Sequence, residues 1–265
     1  MATPAEPTSL AALPEVVAPP PRPRAGPVDD RGTVVHDEVR SLHWKLRGIA
    51  KVVHDVDVGL AELDGTAVVG GPLLADELRL VGSLDVRGPV RIAGRLRARG
   101  SIEAGSGFRA SEATVVGRLR ATGELEFDGA ARLRGSVRAA LLRAGPLELR
   151  GEVQVPGTVG ADRLDAELTG GSHLGEVRAT EVRLRGREPN LVRRLLGTPA
   201  PVTVSRIDAD LVSLAEVRVD RVKAREVVLG PGAHVTAVEG RVVRQHPSSH
   251  LGPESWTPPP DGLRR

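Results

Sequence analysis

The chain reads as an all-β protein: a single-stranded parallel β-helix, or β-solenoid, flanked by proline-rich tails and broken by one short helical insertion. Three observations predict this. A hexad Gly-x-Φ-x-Φ-x, with Φ apolar, runs from Gly82 through Gly88, Gly94 and Gly100. It resumes at Gly117, Gly123, Gly129 and Gly135, and again at Gly151 and Gly157. Aromatic residues are only 2% of the 265 residues, too few large anchors for an ordinary globular core. The hairpin dipeptides Asn-Gly and Gly-Asn are absent, and the isolated Asp-Gly pairs sit at hexad boundaries. Short repeats with frequent corners and no hairpin turns leave a stacked coil as the solution.

The hexad has a direct physical meaning. Alternation with period two sends both Φ residues to one face of a short strand and the intervening residues to the other. Glycine permits the backbone to turn a corner between strands. Stacked coils then join the Val, Leu and Ile side chains into columns, each buried residue contributing roughly 1.5–3 kcal/mol. Small aliphatic columns fit a narrow coil that has little room for rings.

In chain order, residues 1–32 carry eight prolines among small residues and read as a disordered tail. The main coils are placed at 33–185, irregular at first (Val56, Val58, Leu60, Leu63, Val68, Leu78, Leu80) and regular from Gly82. Over 186–201 the spacing of Leu191, Val192, Leu195 and Leu196 suits one short amphipathic helix, ended by Pro199 and Pro201. The terminal coils, 202–244, keep the logic with a shorter beat. Ile207-Asp-Ala209, Val212-Ser-Leu214, Val217-Arg-Val219, Val222-Lys-Ala224 and Val227-Val-Leu229 recur every five residues. Residues 245–265 return to proline and form a second tail.

The run from Gly82 to Glu103, with the stretch from Val217 to Val238, resembles the bactofilins, polymer-forming cytoskeletal proteins with the same repeats between proline-rich tails. The resemblance covers most of 65–243 and rests on repeat grammar rather than a unique motif. It implies a right-handed β-helix that assembles end to end into filaments without nucleotide. Two features differ from that pattern: the longer repeat region broken at 186–201, and the lack of a terminal aromatic to seal a junction.

Assembly also has a reason independent of any family. A stacked solenoid ends in strand edges with unpaired donors and acceptors, ready to template another coil. The candidate assembly ends are the coils carrying Trp44 and Leu46 at one end and Val235, Val238 and Val242 at the other. The partner expected first is therefore another copy of the chain. A membrane surface or a client protein reached through the tails comes second.

Enzymatic chemistry finds little support, and the expectation is a non-enzyme without cofactor. Hexapeptide acyltransferases place an aliphatic residue directly before each hexad glycine. Here that position holds Arg87, Ala93, Arg99, Thr122, Asp128, Arg134 and Arg150. His173, on a turn, is the nearest candidate base. The absence of cysteine removes thiolate metal sites and Cys nucleophiles. His36, His43 and His54 fit no compact ligand spacing, and there is no phosphate-binding Gly-x-x-x-x-Gly-Lys-Ser/Thr loop.

Charge suggests the remaining class. Lys plus Arg is 37 against 34 acids, and only Lys45, Lys51 and Lys223 are lysines, leaving 34 arginines. Two linear clusters stand out: Arg87, Arg91, Arg95, Arg97 and Arg99, and then Arg178, Arg183, Arg185, Arg187, Arg193 and Arg194. Either is a candidate surface for an anionic partner, a membrane surface or nucleic acid. Nucleic acid is the weaker reading because no aromatic platform accompanies the arginines. The expected location is cytoplasmic, with membrane association, since the N-terminus lacks the features of a signal peptide.

Overall fold

The computed structural model of the chain describes residues 23–187 and 201–252. Within them the backbone is one continuous parallel stack of about 12 turns, a β-solenoid with no helix. The helix expected at 186–201 and most of both tails lie outside the described residues, apart from Gly186 and Arg187, which continue a strand.

Fourteen strands make the stack. They are β1 (Val28–His36), β2 (Val39–Val52), β3 (Val56–Val69), β4 (Leu73–Val86), β5 (Val90–Ala104), β6 (Phe108–Ala121) and β7 (Glu124–Phe127). Then come β8 (Ala131–Arg138), β9 (Leu141–Thr169), β10 (His173–Arg187), β11 (Thr203–Ala215), β12 (Arg218–Leu229), β13 (His234–Gln245) and β14 (His250–Leu251). Every pairing among these strands is parallel, each strand stacking on the turn before it. At the usual strand spacing of about 4.8 Å, such a stack is a rod roughly 55–60 Å long.

Three short faces make one turn, and β4 shows the rule. Leu73 and Ala75 point inward on the first face, Leu78 and Leu80 on the second, Leu84 and Val86 on the third, all at most 3% exposed. Directly above them in register lie Val90 and Ile92, Leu96 and Ala98, Ile102 and Ala104. These columns form a single apolar core along the rod. Phe108 and Phe127 fit into it on adjacent turns, their rings 6.2 Å apart and tilted by 51°.

The register ties the hexad to the turn. Gly82 sits beside Gly100, and Gly117 beside Gly135, so three hexads complete one turn there. Only every third hexad glycine has a left-handed backbone: Gly82, Gly100, Gly117, Gly135 and Gly151 have φ between 121° and 135°. Gly32, Gly48 and Gly65 continue the same column. One corner of the three therefore demands glycine by its dihedrals, the one between the second and third faces. A Cβ on any glycine from Gly48 to Gly151 in this column would lie 1.9–2.2 Å from the carbonyl oxygen of the glycine below.

The pentads set a smaller turn. Val204, Ile207 and Val212 stack on Val219, Val222 and Val227, an offset of 15 residues, or three pentads. The segment 188–200 is inserted within such a turn. Leu174 stacks on Val204, an offset of 30, so the coil resumes its register once the inserted residues are passed. The insertion follows Arg187, just past the corner equivalent to the glycine column, where Gly186 lies against Glu216. There Glu216, at φ 54°, is the one described non-glycine residue with a left-handed backbone.

Both boundaries differ from expectation. The first strand begins at Val28, inside the segment read as tail, and the last ends at Leu251. The reason is local chemistry: Val28-Asp29-Asp30 puts a carboxylate where the pattern calls for an apolar residue, which hides the strand from a periodicity reading. The pair His250–Leu251 is likewise too short to register as a repeat.

Candidate functional site: an arginine ridge between two unlike ends

Winding redistributes the arginines that cluster in sequence. Arg91 points out from the first face, Arg97 and Arg99 from the second, and Arg87 and Arg95 sit at separate corners. Arg95 is matched to Glu112 at 3.3 Å. The first linear cluster therefore encircles the rod and forms no single patch. The second fares similarly: Arg178 pairs with Glu176 at 3.0 Å and Arg183 with Glu181 at 2.7 Å, on different faces. Arg185 and Arg187 are exposed on β10, and Arg193 and Arg194 lie outside the described residues.

A different basic surface arises from residues one turn apart. On β5, β6 and β8, four outward positions flank each left-handed glycine, two before it and two after. These twelve positions hold Arg97, Arg99, Arg118, Arg120, Arg132, Arg134 and Arg138 against a single acid, Glu103. All seven arginines are exposed. Glu103 takes Arg120 at 3.3 Å, while Glu148 of the next turn reaches Arg132 at 3.6 Å and Arg134 at 3.2 Å. Arg97, Arg99, Arg118 and Arg138 form no ion pair with the described residues. Arg120 and Arg138 stack directly in register, the like-charge contact that a three-hexad turn forces. Glu103, on the far side of Arg120, offsets part of that repulsion.

The ridge was visible only in part from sequence. Only Arg97 and Arg99 fall in a linear cluster; Arg120 and Arg138 come together if three hexads make a turn, and Arg118, Arg132 and Arg134 are spread among acids. Aligning the chain on the glycine column exposes them, because side chains one turn apart are neighbours. Valines interleave with the arginines: Val81 and Val116, 56% and 46% exposed, lie directly below and above Arg99.

The two ends of the rod differ chemically. At the N-terminal end Asp30 is nearly buried and its Oδ2 accepts hydrogen bonds from Trp44 Nε1 at 2.9 Å and from the His36 ring nitrogen Nε2 at 2.8 Å. A polar plug thus closes the core. Arg24 straps the outside, its guanidinium bonded to Asp57 at 2.9 Å and to Asp76 at 2.5 Å. The hydrogen bond to Asp76 raises the Arg24 pKa against the opposing effect of burial, so the strap stays charged. Trp44 and Leu46, expected at an assembly end, instead lie fully buried in the second turn, between β1 and β3. Their large apolar bodies belong to the core, and β1 covers them.

The C-terminal end is apolar. Val235 is buried beneath β14, but Val238 and Val242 are only half-buried, whereas Val222 and Val227 one turn inward are completely so. Among the described residues, β14 pairs with only two residues of β13, so most of that strand's outer edge is uncovered. Val243 and Leu251 nearby are 52% and 44% exposed.

Other features are chemically quieter. A shallow groove of about 580 Å³ crosses the first face around Phe108. Its Arg109 is bonded to Asp128 at 2.8 Å, which raises the arginine pKa and neutralises much of the lining. The His173 Nδ1 lies 3.0 Å from the Thr203 hydroxyl on the third face, an exposed contact. No described group of three or more His, Asp or Glu gathers to hold a metal ion, and no described helix is long and apolar enough to cross a membrane. No protein-family model, curated protein or solved structure matches the chain.

Proposed function

We propose that this protein is a structural, non-enzymatic scaffold that assembles with its own copies through the ends of the solenoid, without nucleotide. The observation that carries the reading is the unfinished C-terminal turn. There the core valines Val238 and Val242 emerge half-buried, and among the described residues β14 covers the strand's outer edge over two residues only. An open parallel edge with apolar side chains behind it favours pairing with another strand, since pairing satisfies backbone groups and buries the column ends together. The repeat grammar shared with the bactofilins supports the same reading. The rod offers length and surface along a single stack, which suits a scaffold.

Negative-stain electron microscopy of the purified chain, without nucleotide and across a range of salt, tests this directly. Filaments or regular end-joined rods are expected. Uniform single rods of about 60 Å, the length of one stack, would overturn the proposal. The paired change Val238→Asp and Val242→Asp is expected to leave the circular dichroism spectrum nearly unchanged while abolishing assembly. Both valines also pack on the core beneath them, so the spectrum must show the earlier turns intact; assemblies that persist in that variant would move the junction elsewhere.

A further inference from the structure

We infer that the arginine ridge at the glycine corner is a docking surface for an anionic lipid bilayer, on which the rod lies lengthwise. The inference stands apart from end-to-end assembly, because the ridge lies on the side of the rod, on β5, β6 and β8.

Charge complementarity is the first argument. Seven arginines against one glutamate project from three successive turns, a height of roughly 10 Å at strand spacing. Four of them, Arg97, Arg99, Arg118 and Arg138, have no carboxylate partner among the described residues, so their charge is available to a partner. The basic character is local: the equivalent positions on β3 include Glu62 and Asp64, and those on β9 include Glu148 and Glu152. An overall charge of +3 would not predict such a patch, which comes from placement.

Shape is the second argument. The ridge is a corner, convex and unenclosed, so it cannot wrap a small anion. It can touch a flat, extended layer of phosphates. Each arginine near an anionic membrane surface contributes about 1 kcal/mol, close to fivefold in partitioning. Phosphates and arginines also form paired hydrogen bonds through the planar guanidinium.

The third argument selects lipid over nucleic acid. Val81 and Val116 are exposed on either side of Arg99 in one column. Apolar side chains among cations gain from entering the boundary between headgroups and acyl chains. They gain nothing from a nucleic-acid backbone. The aromatic residues Trp44, Phe108 and Phe127 are buried in the core, so the ridge offers no stacking platform for bases.

Flotation of the full chain with vesicles tests the inference, comparing phosphatidylcholine containing phosphatidylglycerol with phosphatidylcholine alone, at low and high salt. Binding is expected only to the anionic vesicles and is expected to weaken with salt. Changing Arg97, Arg99, Arg118 and Arg138 together to Gln should lower that binding by roughly 100-fold or more, at about fivefold per cation. The same change at Arg87, Arg91, Arg221 and Arg225, exposed arginines away from the ridge, alters net charge equally and should cost far less. Replacing Val81 and Val116 with Ser should lower vesicle binding by about tenfold, reflecting two partly inserted valines. Circular dichroism of each variant separates loss of binding from loss of fold. Equal losses from the two arginine sets would overturn the ridge as the surface. So would tighter binding of duplex DNA than of vesicles together with no effect of the valine changes, or no binding to anionic vesicles at all. Electron microscopy of the same preparations reports end-to-end assembly separately.

Discussion

Replacing Gly117 with Ala is expected to destabilise the protein by about 3–5 kcal/mol, read as a lower urea midpoint of unfolding. Two costs act at this residue. Its φ of 134° lies where side chains are strained, at about 1–3 kcal/mol. A Cβ there would stand 2.0 Å from the Gly100 carbonyl oxygen, so the turns must separate or tilt, at a further 1–3 kcal/mol or so. The neighbouring atom is backbone held in a ladder and cannot swing aside as a side chain would. Two comparison variants divide the effect. Gly171→Ala keeps the dihedral cost at φ 86° but meets nothing within 4 Å, so it should show only the smaller part. Gly26→Ala has neither cost and should be close to neutral. If Gly117→Ala proved no worse than Gly171→Ala, close stacking of the glycine column would have to be abandoned as a source of specificity.

The same column explains how much of the molecule can be read from its sequence. Period-two alternation identified the inward residues, while the hexad and pentad lengths left open how many repeats make a turn, which the register sets at three. What periodicity could not say was which hexad glycine occupies the demanding corner. In sequence Gly82, Gly88 and Gly94 are equivalent, yet only Gly82 has a left-handed backbone. Without that assignment the outward residues could not be sorted by face. The run from Arg87 to Arg99 therefore looked like a patch when it encircles the rod. Arg118 and Arg138, twenty residues apart in sequence, belong to one ridge on adjacent turns. Surface chemistry in a solenoid follows register, which local composition does not carry. Polar exceptions at the ends, Asp30 above all, were hidden for a related reason: one inward carboxylate looks like a break in the pattern until its partners are seen.

Trp44 tests how the N-terminal end is built. It is completely buried, although it was expected at an assembly end because it lies in the early coils, before the regular repeats. Trp44→Ala is expected to cost about 3–5 kcal/mol, the usual range for emptying a large buried site. It also takes away one of the two hydrogen bonds to the nearly buried Asp30 carboxylate, leaving His36 as its remaining partner. Trp44→Phe, which keeps much of the ring volume but removes the donor, should cost nearer 1–3 kcal/mol. Where the loss appears matters more than its size. Turns in a solenoid touch mainly their neighbours, so damage in the second turn should fray the end rather than dissolve the rod. Hydrogen exchange on Trp44→Ala should therefore show lost protection over β1 and β2 with protection retained from β4 onward. A uniform loss along the chain would mean that the rod unfolds as one cooperative unit. With the fraying pattern, Trp44 and Asp30 form a seal for one end of the stack.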